Sequence, residues 1–101
     1  MHGEEPSRRP RRIQLRRARG WRKPPGAVVV SRPSRWGNPY TIAEHGRERA
    51  IELYRERLRR HPELVEAARR ELAGRDLACW CAPELACHAD VLIEVANGGE
   101  P

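Results

Sequence analysis

Two short apolar segments separated by a helical region most constrain what this chain can fold into. Residues 27–31 place three consecutive valines in a compact β-branched run, and residues 76–81 contain a second apolar run that follows Asp76. Both are typical of strands buried on both faces. The residues between them carry apolar side chains at helical spacing. A strand, two helices and a second strand predict a small layered α/β fold of order β-α-α-β-α, with a parallel strand pair at its centre.

Further signals mark where the other elements begin and end. Thr41 and Glu44 have the spacing of a capping box, which predicts a helix start near Thr41. Pro62 is suited to begin a second helix, and Gly74 to end it. Apolar residues at 91–96 indicate a final helix. Residues 12–16 alternate between apolar and polar side chains and could add an N-terminal edge strand.

The positive charge is concentrated at the N-terminus. Residues 1–24 contain nine basic and two acidic side chains, a net of +7, whereas the remainder has eleven basic and twelve acidic, a net of −1. We therefore expect residues 1–12 to be a disordered basic arm and residues 13–98 to form a single α/β domain. Such an arm could bind nucleic acid through its phosphates, or be only a solvated tail.

The sequence also limits the compartment. No apolar run approaches the length of a membrane span, and residues 1–23 lack the apolar core of a secretory signal. Three cysteines are an odd number, which argues against a disulfide framework. These observations predict a cytoplasmic protein without a membrane partner.

The first unusual loop covers residues 31–41. If the two strands are parallel, this loop and the loop after the second strand face each other at the carboxyl edge of the sheet, where open α/β sheets bind ligands. We predict that Arg32 and Arg35 hold a phosphate or carboxylate and that Trp36 or Tyr40 stacks on a base. The predicted ligand-binding residues are Arg32, Arg35, Trp36, Gly37, Asn38 and Tyr40. The alternative is a structured turn in which Trp36 fills the core and Asn38 caps a backbone group.

The second unusual loop contains all three cysteines, and three roles are open for them. Cys79, Cys81, Cys87 and His88 are four soft ligands, enough for a closed zinc site. Their spacing matches no common zinc motif, and the adjacent Cys-His pair is awkward for one tetrahedral ion. The cysteines could instead pack as small buried hydrophobic residues, or one of them could be catalytic.

A catalytic role would use a thiolate and a base. Cys87 would lie at a helix N-terminus, which lowers the pKa of a thiol, and His88 or His45 could act as the base. Asp90 could orient a histidine or accept a ligand hydroxyl, or simply complement the helix dipole. The candidate catalytic residues are Cys81, Cys87, His88, Asp90, Glu44 and His45. Glu44 and His45 could equally belong to a solvated helix end.

Two sequence blocks resemble a known family. The blocks RWGNPY and CWC…CHADVL, with the ELYRERL helix between them, are similar to domain of unknown function 4326, a family of short bacterial and phage proteins. The resemblance covers residues 13–97. It implies that the two blocks belong together, and it implies no catalytic residues, because the family has no assigned activity.

We therefore expect a cytoplasmic module that binds a phosphate-bearing ligand, either a nucleotide or nucleic acid, in a cleft formed by the two loops, with zinc as a candidate cofactor. The alternative is a small enzyme, a hydrolase or transferase, that acts on a nucleotide or nucleobase in the same cleft. A third hypothesis is a phage-type accessory protein whose arm binds nucleic acid while its body forms a homodimer.

Overall fold

The computed structural model describes residues 9–101, which contain three strands and four helices. In chain order these are β1 (Arg12–Gln14), β2 (Val28–Val29), α1 (Ile42–His45), α2 (Arg47–Arg60), α3 (Pro62–Glu71), β3 (Leu77–Cys79) and α4 (His88–Ala96). The predicted order is confirmed, with the N-terminal edge strand β1 and a short additional helix, α1.

The three strands form one parallel sheet in the order β1-β3-β2. Leu77 of β3 lies opposite Arg12 on one side and Val28 on the other. The predicted parallel pair is therefore correct. Because β3 is the central strand, all three of its residues are buried.

The prediction that the valine strand is buried on both faces is wrong. β2 lies at the edge of the sheet and pairs only with β3. Val30 is fully buried and Val28 packs against the core, but Val29, whose side chain points to the opposite face, is 37% exposed. β2 is thus half-buried, and the segment that pairs with β3 is shorter than the apolar run in the sequence.

A glycine divides the helical region after the first loop. Thr41 caps α1 as predicted, because its Oγ1 accepts a hydrogen bond from the Glu44 backbone N–H at 3.2 Å. Gly46 then has φ +80°, a conformation that favours glycine, so α1 ends there and α2 starts at Arg47. Pro62 occupies the first turn of α3, as predicted.

The helices bury a core that also includes part of the first loop. Leu58, Leu72, Leu77 and Leu92 are almost completely buried. Tyr54 lies among them, and its hydroxyl donates a hydrogen bond to the carbonyl of Trp36 at 2.8 Å. This bond joins α2 to the loop that follows β2.

The predicted disordered arm, residues 1–12, falls largely outside the described part of the chain. Arg12 itself belongs to β1, so the ordered domain begins before residue 13. Among residues 9–101, no helix combines the length and apolar character needed to cross a membrane.

We predict that Tyr54→Phe lowers the free energy of unfolding by about 1–2 kcal/mol, because it leaves the Trp36 carbonyl without its buried donor. Urea denaturation measures the change. Tyr40→Phe is the matched control: within residues 9–101 its hydroxyl hydrogen-bonds only with the exposed Arg60, at 3.4 Å, so the stability of this variant should be unchanged. Equal effects of the two substitutions would contradict the assigned role of the Tyr54 hydroxyl.

Candidate functional site

A cavity of about 560 Å³ lies at the carboxyl edge of the sheet. Since the strands are parallel, the loops after β2 and β3 leave the sheet at this same edge. Both loops contribute to the cavity wall, as does the start of α2. The wall includes Arg32, Tyr40, Arg47, Trp80, Cys81 and His88.

The first loop is shaped by Gly37 and Asn38. A Cβ atom on Gly37 would lie 2.7 Å from Arg32 Cγ and 2.9 Å from Arg32 N, so only glycine allows the loop to close onto Arg32. The Asn38 side chain donates to the Ala50 carbonyl at 3.1 Å and accepts the Tyr40 N–H at 3.0 Å. Both residues therefore position the loop, and Asn38 has the backbone-capping role given above as the alternative.

The two arginines of the first loop have different surroundings. Arg32 is exposed in the cavity wall, and within residues 9–101 its guanidinium makes no hydrogen bond or ion pair. Arg35 instead forms an ion pair with Glu71 at 3.1 Å, away from the cavity. Of the predicted pair, only Arg32 is available to a ligand in the cavity.

Trp36 is placed in the core and not in the cavity. It is 4% exposed, and the Arg35 guanidinium lies 4.7 Å from its ring centroid. A side chain with this burial has no face open for a base, so the predicted stacking role does not fit it. The alternative prediction, that Trp36 fills the core, agrees with its position.

Tyr40 lines the cavity, whereas the two acid-base candidates next to it do not. Glu44 is exposed and accepts a hydrogen bond from the Thr41 hydroxyl at 3.2 Å. His45 is exposed and packs edge-on against Tyr40, with ring centroids 5.8 Å apart. Neither is part of the cavity wall, so they do not meet the cysteines as the catalytic hypothesis expected.

The three cysteines converge in the cavity wall. Cys79 ends β3, Cys81 follows two residues later, and Cys87 is the N-cap of α4. Their sulfur atoms lie within 4.8 Å of one another, and those of Cys79 and Cys87 are 3.2 Å apart. Cys79 and Cys87 are buried and Cys81 is half-buried. Three thiols at this separation can hold one metal ion.

Nitrogen donors surround the sulfurs. The Ala89 backbone N–H lies 3.5 Å from the Cys87 sulfur, and the Arg47 guanidinium lies 3.7 Å from the Cys81 sulfur. The pKa of the Cys79 thiol is lowered, first by its hydrogen bond with Cys87 and also by a backbone N–H of Cys81. Hydrogen bonds from N–H groups favour the thiolate, which is the form that binds metal.

The prediction that the Cys87 thiol has a lowered pKa is wrong. Its hydrogen bond with Cys79 and its burial raise the pKa of Cys87 to about 11, although His88 and the Ala89 N–H act in the opposite direction. Burial likewise raises the pKa of Cys81. The more acidic thiol of the buried pair is therefore Cys79 and not Cys87, which the sequence favoured as the nucleophile.

His88 is oriented by the backbone of β2. Its Nε2 lies 2.9 Å from the carbonyl of Val30. Since a carbonyl can only accept, Nε2 carries the proton, and a neutral ring keeps a lone pair on Nδ1. Nδ1 is 3.7 Å from the Cys87 sulfur. A histidine whose second nitrogen donates to a carbonyl is the usual arrangement of a metal-binding histidine.

Arg12, which the sequence did not single out, organises the cysteine loop. Its side chain is only 8% exposed and lies 3.2 Å from the Asp90 carboxylate. Asp90 in turn accepts the Cys87 N–H at 3.0 Å. The same guanidinium donates to three carbonyls of the loop at 2.7–2.9 Å, those of Ala82, Pro83 and Leu85. Asp90 thus has a capping role at α4 and lies outside the cavity wall.

Two residues of the cavity wall, Arg47 and Trp80, were also not identified from the sequence. In a continuous strand Trp80 would lie on the face opposite Cys79 and Cys81, but β3 ends at Cys79, so alternation does not continue. Trp80 is 45% exposed and lines the cavity. Arg47 donates to the Ala86 carbonyl at 2.7 Å. Its position shortly after the first loop, at the start of α2, was the signal that could have identified it.

A family model described as "Domain of unknown function (DUF4326)" matches residues 13–98. The match includes both loops of the cavity and all three cysteines. No curated protein and no solved structure matches the chain.

We predict that Arg12→Lys lowers the free energy of unfolding by about 1–3 kcal/mol, because an ammonium group cannot replace a guanidinium that donates to several carbonyls at once. Chemical denaturation measures the loss. Arg11→Lys is the control on the preceding residue, where the side chain is 58% exposed, and should change the value by less than about 0.5 kcal/mol. A loss no larger for Arg12→Lys than for Arg11→Lys would contradict the anchoring role.

Proposed function

This chain belongs to the DUF4326 family, and we propose that it is a cytoplasmic module that binds a phosphate-bearing, nucleotide-like ligand in the cavity beside a bound zinc ion. The observation that carries the proposal is the composition of the cavity wall. It combines two guanidinium groups, an exposed indole and three thiols, and within residues 9–101 it contains no carboxylate. Such a wall favours an anion with an aromatic part.

Arg32 supplies the main anion-binding group. Its donors are not used by other described residues, so a phosphate can accept two parallel hydrogen bonds from it without displacing an internal partner. Arg47 adds a second positive charge from the start of α2. The location at the carboxyl edge of parallel strands agrees with where α/β sheets bind phosphate-bearing ligands.

Trp80 supplies the aromatic surface that Trp36 cannot. Its indole is partly exposed and belongs to the cavity wall, and a base stacked on an aromatic side chain gains about 1–3 kcal/mol. The cavity volume of about 560 Å³ is in the range of small-molecule sites, about 300–1,000 Å³. A single nucleotide fits this description in charge, shape and size.

Zinc is the metal that the cysteine cluster suits best. Thiolates are soft ligands that favour zinc over magnesium or calcium. Tetrahedral coordination with Zn–S distances of about 2.3 Å places sulfurs about 3.8 Å apart. The sulfurs of Cys79 and Cys87 are 3.2 Å apart and all three sulfurs lie within 4.8 Å of one another, so their spacing is compatible with one shared ion. The fourth ligand is His88 Nδ1 or an atom that enters from the cavity.

An enzyme, a hydrolase or transferase acting on a nucleotide or nucleobase, is the second candidate. It is favoured by the position of the metal ligands in the cavity wall, because an ion there could bind and activate a water molecule. Against it, the carboxylates of Asp90 and Glu44 hold backbone and capping contacts outside the cavity. Without a carboxylate base in the described wall, ligand binding is the better-supported function.

We predict that the purified protein contains about one zinc ion per chain, measured by elemental mass spectrometry, and that a chelator lowers its thermal stability. Cys79→Ser, Cys81→Ser and Cys87→Ser should each reduce the zinc content strongly. His88→Ala separates the two coordination models: loss of zinc identifies Nδ1 as the fourth ligand, and retained zinc identifies a position open to the cavity. Metal-free protein that is indifferent to the chelator would refute the zinc site.

We predict that Arg32→Gln weakens the binding of nucleoside monophosphates about tenfold or more, since a charged hydrogen-bonded contact contributes about 1.5–3 kcal/mol. Isothermal titration calorimetry measures the affinity. Arg35→Gln is the matched control. It removes the same charge three residues further along the chain, from an arginine whose side chain is already paired with Glu71. Equal losses in the two variants, or the absence of binding to the unmodified protein, would contradict the proposed site.

A further inference from the structure

A basic segment, residues 16–23, leaves the sheet beside the cavity. β1 is parallel to β3, and the Leu15 N–H donates to the carbonyl of Cys79 at 2.7 Å. The chain after Leu15 therefore emerges at the same carboxyl edge as the two cavity loops. The tertiary structure thus brings the most basic part of the described chain to the ligand site.

The arginines of the basic segment are not neutralised by any acidic side chain of residues 9–101. Within residues 9–101, the four guanidinium groups form no ion pair and all four side chains are exposed; they belong to Arg16, Arg17, Arg19 and Arg22. By contrast, Arg49 pairs with Glu52 at 2.7 Å and Arg55 pairs with Glu94 at 3.0 Å. The sequence contains no acidic residue from position 6 to position 43. These guanidinium groups are therefore available to bind a negatively charged group of another molecule.

One contact connects the basic segment to the cavity. The Arg17 guanidinium lies 4.6 Å from the centroid of the Trp80 ring. Trp80 remains 45% exposed and forms part of the cavity wall. A base stacked on this indole would therefore have a guanidinium beside it, and the rest of the basic segment would follow the adjoining backbone.

From this geometry we infer that the ligand is a nucleotide within a single strand of nucleic acid; the inference rests on the proposed function. One base stacks on Trp80 at the cavity, and its phosphate binds Arg32. Neighbouring phosphates follow the exposed arginines of the basic segment. A single strand is required because duplex bases are stacked on one another and present no face to an indole.

Fluorescence anisotropy with a labelled oligothymidylate of about twelve nucleotides, a length within known single-strand site sizes, tests the inference over a range of salt concentrations. We expect tighter binding than for thymidine monophosphate, and a logarithmic salt slope of about 0.7 for each phosphate contact. Arg16→Gln with Arg19→Gln should reduce that slope by about 1.4. Trp80→Ala should weaken binding about tenfold at all salt concentrations.

The charge-matched control is Arg59→Gln with Arg70→Gln. Arg59 lies twelve residues beyond Arg47 on α2, about 18 Å along the helix, and the double variant should leave the slope unchanged. Circular dichroism checks that each variant is folded.

Several outcomes would overturn the inference. One is a strand that binds no more tightly than the mononucleotide while Arg32→Gln still weakens both; this result leaves the proposed function intact. Equal binding of a duplex, or tighter binding of anionic phosphatidylserine vesicles than of the strand, also overturns it. If neither mononucleotide nor strand binds, the proposed function fails as well.

Discussion

The pairing of β3 with a parallel strand on each side is the constraint on which the rest of this structure depends. Because β1 and β2 both run parallel to β3, three chain segments emerge at one edge of the sheet. These segments are the basic segment, the loop with Arg32 and the cysteine loop. Antiparallel pairing of either outer strand would send one of them to the opposite edge and separate the groups that form the cavity.

A second layer of interactions fixes the cysteine loop on that edge. The loop has no regular secondary structure, so its carbonyls need other donors. The buried guanidinium of Arg12 provides them and also contacts Asp90, which caps the N-terminus of α4 and with it Cys87. The thiols are therefore positioned by a residue of β1. This strand lies on the opposite side of β3 from β2 and its cavity loop.

The arginines of the described chain differ in whether they have a partner within the protein. Arg12 and Arg35 have internal partners in the loop carbonyls, in Asp90 and in Glu71. Arg32 has no hydrogen-bond or ion-pair partner among the described residues, and the exposed arginines of the basic segment form no ion pair there, although Arg17 lies against the Trp80 ring. Desolvated or paired guanidinium groups hold the fold together, whereas unpaired ones at a cavity are free to bind phosphate. Sequence cannot make this distinction, because both kinds are arginines in polar surroundings.

By itself the sequence determined the fold class, the parallel strand pair, the cap at Thr41 and the two loops that form the cavity. These features depend on the local spacing of apolar residues and on the few ways in which the resulting strands and helices can be connected. Only the tertiary structure decided which side chains face the cavity. Trp36 entered the core because the loop closes on Gly37 and on the hydroxyl of Tyr54, and Trp80 took the exposed position because β3 ends one residue before it. The orientation of His88 likewise depends on the Val30 carbonyl, 58 residues away along the chain. Such contacts join distant parts of the chain, and no local pattern encodes them.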